Sequence, residues 1–241
     1  MKQKNLVETI LKRILQEAES DVEDRGRKRL KQGSDMAVYT FTRRGKPAAV
    51  MYSTKDLFDN LKRFSLADGA VWYAMRGIIQ ISKPPLPCNG AWEIKYSAVK
   101  NKGDGGLLYG IAYAMSPNGI LMPDRSQVSI KAQQGWLKQA TRRGKPFDDF
   151  HTAKEFRRTP NDPSDDCTVH VDDEYEDDCP DGHIDVDSLN RSYELEGWEK
   201  PLFNQMQAAH QNVIQQIPPD ESRKIFADME ESFMPFFHSH I

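Results

Sequence analysis

Three consecutive pieces decide how this chain folds: Ala91-Trp-Glu-Ile-Lys-Tyr-Ser-Ala-Val99, Lys100-Asn-Lys-Gly-Asp-Gly-Gly106 and Leu107-Leu-Tyr-Gly-Ile-Ala-Tyr-Ala-Met115. In the first, Trp92, Ile94, Tyr96 and Ala98 point one way and Glu93, Lys95 and Ser97 the other, the period of a half-buried strand. In the third, Leu107, Leu108, Ile111, Ala112 and Met115 recur at helical spacing. The glycine-rich turn between them must therefore open a helix. The first N–H groups of a helix have no intrahelical acceptor and sit at the positive end of its dipole. Lys100 and Lys102 flank them here. The turn reads either as a tight connection or as a seat for a phosphate or diphosphate, held by Lys100, Lys102, Gly103, Asp104, Gly105, Gly106 and Leu107.

Working outward, Asn5 to Ala18 has an amphipathic helical pattern, and a basic stretch, Arg25–Lys31, follows it. Met36–Thr42 and Pro47–Tyr52 flank Arg43-Arg44-Gly45-Lys46 as two strands around a hairpin turn. Thr54 is placed to cap a helix through Phe64. Val71–Met75 and Ile78–Ile81 read as strands broken at Arg76-Gly77, and Ile120–Met122 as a short buried strand. Ser126 or Ser129 caps a helix that Gly144 and Pro146 end. Residues 147–200 look irregular; Leu202–Ile217 and Glu221–Phe233 are helices divided by Pro218-Pro219. The order predicts an α+β fold, a mixed and mostly antiparallel sheet flanked by helices. Four segments follow: an N-terminal helix and basic stretch (1–35), the sheet domain (36–145), an acidic irregular segment (146–200) and C-terminal helices (201–241).

The 241 residues, 38% hydrophobic and 29% charged, suffice for a real core. No run reaches the roughly eighteen apolar residues of a membrane span, so no membrane partner is expected. Charges interrupt Leu6–Leu15, which does not resemble a secretory signal. Three cysteines argue against a disulfide framework and for a reducing compartment. The net charge of −3 hides an asymmetry, because residues 161–187 hold 12 acids and no Lys or Arg. The remainder carries 33 basic and 24 acidic residues, a balance of +9. The acidic stretch reads as a solvated loop, or as an insert that screens an anion-binding body. The basic runs Arg25–Lys31 and Arg142–Lys145 lack interleaved aromatics, so a solvated helix face is preferred to a nucleic-acid surface.

The element order together with Lys100-Asn101-Lys102-Gly103-Asp104-Gly105 resembles the GNAT superfamily of N-acetyltransferases, whose signature is a Gln or Arg followed by x-x-Gly-x-Gly/Ala. The resemblance implies that the loop amides hold the pyrophosphate of acetyl-CoA. It also implies that Ala91–Val99 splays from Ile120–Met122, leaving a slot where pantetheine pairs with backbone. The family's Asn-x-x-Ala-x-x-x-Tyr becomes Ser129-x-x-Ala132-x-x-x-Trp136, which puts Trp136 in the place of the Tyr that protonates the leaving thiolate. An indole N–H donates a hydrogen bond but transfers no proton readily. Gly105–Ala112, Asn118–Trp136 and Asp165-Asp166-Cys167 are similar to GNAT-like proteins of tailed bacteriophages, in which the residue after Leu108-Tyr109 is usually Asp and here is Gly110.

The resemblance implies acyl-CoA-dependent transfer to a primary amine of a small molecule or protein, with Glu93 as general base on the strand's outward face. The rival is a catalytically inactive phage protein built on the same fold. It would serve as a virion component, or bind another virion or host protein, and its location would be the host cytoplasm or the virion. Asp124-Arg125 reads as a pair locking the turn after the short strand, or as a phosphate contact through Arg125. Cys167, His170, Cys179 and His183 supply the four donors a tetrahedral zinc requires, although the intervening acids favour a disordered acidic loop instead.

Overall fold

Arg44 and Gly45, with φ of 49° and 75°, form the two-residue turn that folds β1 (Met36–Arg43) back on β2 (Lys46–Ser53). Positive φ at both central positions matches the right-handed twist of the flanking strands. A computed structural model describes residues 24–63, 70–84, 88–124, 136, 139, 144–146 and 191–231. The helix over 24–32 (α1) precedes the hairpin, and α2 (Thr54–Arg63) and α3 (Ala70–Ala74) follow it. Next come β3 (Met75–Ser82), β4 (Trp92–Val99), α4 (Gly105–Met115) and β5 (Ile120–Met122). Two short strands, β6 (Gly144–Pro146) and β7 (Arg191–Glu194), and two helices, α5 (Glu199–Gln216) and α6 (Pro219–Glu231), complete the described chain.

The strands form one seven-stranded sheet in the order β1-β2-β3-β4-β5-β7-β6. All neighbours are antiparallel except β4 and β5, whose parallel pairing spans α4 as its crossover. The fold is thus α+β, a mixed sheet flanked by helices. Both faces of the sheet are covered. On β3, Ile79 and Ile81 join Leu107, Leu108 and Ile111 of α4, whereas Ile78 packs with Leu57 of α2 and Ile225 of α6. α5 lies against β1 and serves both layers, placing Leu202 and Met206 in the first and Val213 and Ile217 in the second. No helix among the described residues is long and apolar enough to cross a membrane.

Several local expectations are corrected. Ser53, not Thr54, caps α2: its Oγ accepts the Asp56 amide at 3.1 Å, while Thr54 is the first helical residue. Val71 and Trp72 belong to a short helix, and β3 runs unbroken through Arg76-Gly77. Arg76 is the extra residue of a bulge against β2 and turns its guanidinium to Asp56. Gly77 leaves the room that Leu108 of α4 fills, since a Cβ there would lie 3.0 Å from the Ala98 carbonyl oxygen and 3.4 Å from Leu108. Gly144–Pro146 pairs with β7, a strand inside the segment read as irregular; the helix end expected just before Gly144 lies outside the described residues. The N-terminal helical pattern over Asn5–Ala18 lies outside the described residues.

Cys88 is disulfide-bonded, a bond that the argument from three cysteines against a disulfide framework did not anticipate. The other two, Cys167 and Cys179, lie outside the described residues, as do His170 and His183.

Candidate functional site

β4 and β5 are paired at only two positions, Trp92 with Leu121 and Glu93 with Met122. β5 ends there, while β4 continues to Val99 with β3 on its other side. The ladder therefore stops with β5, and Ile94–Val99 has no ladder partner on the β5 side among the described residues. A strand edge without a ladder partner is a template on which an extended ligand can pair.

Where the ladder stops, the regular alternation of β4 fails. Tyr96 pairs with Gln80 and Ile94 with Ile81, so Lys95 is the extra residue of a β-bulge. Before the bulge, Ile94 faces the α4 layer; after it, Tyr96 and Ala98 face the α2 and α6 layer. A bulge re-aims side chains in this way and is common beside active sites. Glu93, expected on a solvated face, is 1% exposed. Its Oε2 lies 2.7 Å from the Lys95 ammonium and 3.5 Å from the Ser82 hydroxyl. Lys95 also reaches Asp124 Oδ1 at 3.0 Å, so a side-chain bridge spans the strands where their ladder stops. Burial disfavours the Lys95 cation, but the bonds and attraction of Glu93, then Asp124, outweigh it and hold its pKa above the usual lysine value. Asp124 thus has a partner in Lys95; Arg125 lies outside the described residues.

The glycine turn follows β4 directly. Gly103, with φ of 101°, takes a conformation that side chains rarely adopt. Asp104 N bonds to the Asn101 carbonyl at 3.3 Å, and the amides of Leu107 and Leu108 both bond to the Asp104 carbonyl. The amides of Lys102, Gly103, Gly105 and Gly106 have no acceptor among the described residues. Leu107 is core, so its part is packing rather than ligand binding. Lys100 does not turn to the loop amides either. Its ammonium donates to the Trp72 carbonyl at 2.7 Å and lies 5.2 Å from the Trp72 ring centroid, with burial and then Arg76 lowering its pKa. The Asp104 side chain is buried and makes no capping bond. Burial raises its pKa against the opposing pull of Arg76 and Asn101.

Arg29 of the basic stretch, read as a solvated face, and Gln32 just after that stretch meet the turn. The Arg29 guanidinium lies flat on Gly106, where a Cβ would be 2.5–2.8 Å from its atoms, and its Nη1 donates to Gln32 Oε1 at 2.9 Å. Gln32 Nε2 in turn donates to the Gly103 carbonyl at 3.4 Å. The i, i+3 spacing of Arg29 and Gln32 on one helix was the available signal, but nothing local said what that face meets.

Comparison with protein-family models, with curated proteins and with solved structures finds no match. Trp136 is buried between Tyr109 and Tyr193, with ring centroids 5.3 and 4.7 Å away, and is a core residue. Gly110 lies beneath the Trp198 ring, which would be 2.9 Å from a Cβ there; an Asp at this position would have no room. The turn amides without an acceptor among the described residues, together with Lys102 and Arg29, suit a polyanion, and the β4 edge suits an extended chain.

Proposed function

We propose that this chain is a GNAT-like N-acyltransferase, with an acyl-CoA as acyl-donor substrate and a primary amine as acceptor. One observation carries the reading: the parallel β4–β5 ladder stops at Glu93 and Met122, and the turn after β4 opens a helix whose first amides have no acceptor among the described residues. A coenzyme A thioester has the matching shape, a diphosphate joined to an extended pantetheine arm that ends in an activated acyl group. The amides of Lys102, Gly103, Gly105 and Gly106, with Lys102 and Arg29, would hold the diphosphate. The Ile94–Val99 edge would bond the amides of the arm. Glu93, the base that the resemblance designates, is covered by Lys95, so proton removal would run along the opening rather than over a solvated strand face.

Calorimetry with acetyl-CoA tests this. Gly105 is the informative position because a Cβ there meets nothing within 4 Å, whereas substitution of Gly103 strains the backbone. The wild type and Gly105→Ala should bind, and Gly105→Glu, which sets a carboxylate against the phosphates, should lose at least about tenfold in affinity. Absence of wild-type binding would contradict the reading. The packed indole at Trp136 favours one alternative, a GNAT-like phage scaffold without catalysis, in the virion or on a host protein. It predicts no acyl transfer to any amine, even where the coenzyme binds.

A further inference from the structure

We propose that Lys95 is a fixed cation that donates a hydrogen bond to the carbonyl oxygen of the acyl group at the β4–β5 opening. The inference rests on the acyltransferase reading and adds to it a residue that the glycine turn and the base do not include. Lys95 is the extra residue of the β4 bulge, two positions beyond the last β4–β5 pair. An ammonium carries three N–H donors. One meets Glu93 at 2.7 Å and one meets Asp124 at 3.0 Å, both carboxylates being buried. No acceptor among the described residues takes the third, and about a quarter of the side chain (24%) is open to a ligand.

Two carboxylates are more than a single strand-locking ion pair requires. They fix the ammonium in direction and keep it charged at neutral pH, which suits a preorganised donor and disqualifies it as base or nucleophile. In acyl transfer the acceptor nitrogen bonds to the carbonyl carbon, and the carbon–sulfur bond breaks with its electron pair on sulfur. The proton lost by nitrogen balances the proton gained by the thiolate. Negative charge grows on the carbonyl oxygen in between, and the Lys95 ammonium is placed to meet it. Asp124 then acts as a positioning residue, and Glu93 positions the ammonium in addition to its place as the base.

The test uses the full chain and acetyl-CoA labelled with carbon-13 at the thioester carbonyl. Bound to the wild type, the carbonyl stretch should move to lower frequency than in solution; bound to Lys95→Met it should return toward the solution value. Turnover should fall about 100-fold in Lys95→Met with KM for acetyl-CoA changed less than about threefold. Because that variant leaves two buried carboxylates facing each other, Lys95→Met combined with Glu93→Gln and Asp124→Asn serves as the charge-free version for the spectrum. An unshifted carbonyl in the wild-type complex, or a folded Lys95→Met with unchanged stretch and turnover, would overturn the role of Lys95 alone. Failure of the wild type to bind acetyl-CoA would overturn the parent reading and this inference with it.

Discussion

Arg29 sets its guanidinium on Gly106 although the first turn of a helix already carries partial positive charge. Among the described residues no carboxylate offsets it; its hydrogen bond goes to Gln32, and burial lowers its pKa. Positive groups gathered this way are stabilised when an anion joins them. Arg29→Gln should therefore weaken coenzyme A binding about tenfold in calorimetry and leave binding of pantetheine, which lacks phosphate, unchanged. Equal losses for both ligands would show that Arg29 acts through the fold. Residue identity marked the turn correctly as far as Gly103, Gly105 and Gly106, since glycine signals backbone geometry. It did not say where long side chains go: Lys100 leaves the turn for Trp72, and Arg29, 71 residues before Lys100, arrives.

At the scale of elements, periodicity located β1, β2, α4, β5, α5 and α6 because each keeps one repeat along its length. It failed where a repeat is interrupted for a tertiary reason. The β4 bulge at Lys95 switches the faces, and nothing in the alternating letters announces it. β7 is four residues long and owes its state to β5 and β6, partners distant in sequence. α5 is anchored by a buried polar contact, His210 Nδ1 to the Tyr52 hydroxyl at 2.8 Å, packed against Tyr39 and Phe226. Burial lowers the His210 pKa from 6.5 to about 4. Across that window the unfolded chain binds a proton that the folded one refuses, so the contribution to stability is full above pH 6.5 and is lost as pH falls toward 4. The melting temperature of the wild type should drop more steeply from pH 7 to pH 4 than that of His210→Gln. Parallel profiles would contradict a neutral, buried His210.

For the whole molecule, the sheet draws strands from both ends of the described chain, and α1 and α5 close over α4. Gly33 and Gly110 admit Leu202, and Trp198 of the C-terminal part covers Gly26 and Gly110, so the residues flanking the sheet complete the layer that positions the glycine turn. Sequence reasoning reached the α+β class because strand–turn–helix–strand over Ala91–Met122 is local. Closure by β7 and the disulfide at Cys88 were not legible, since both depend on contacts across long separations. The central claim is that amides at the start of α4 receive a diphosphate, and amide NMR of the nitrogen-15-labelled chain titrated with coenzyme A addresses those atoms directly. The account predicts that the Gly103, Gly105 and Gly106 resonances move downfield and saturate together, with little change in Gly45 at the distant hairpin. Binding that leaves those three amides unmoved, or no binding at all, would contradict it.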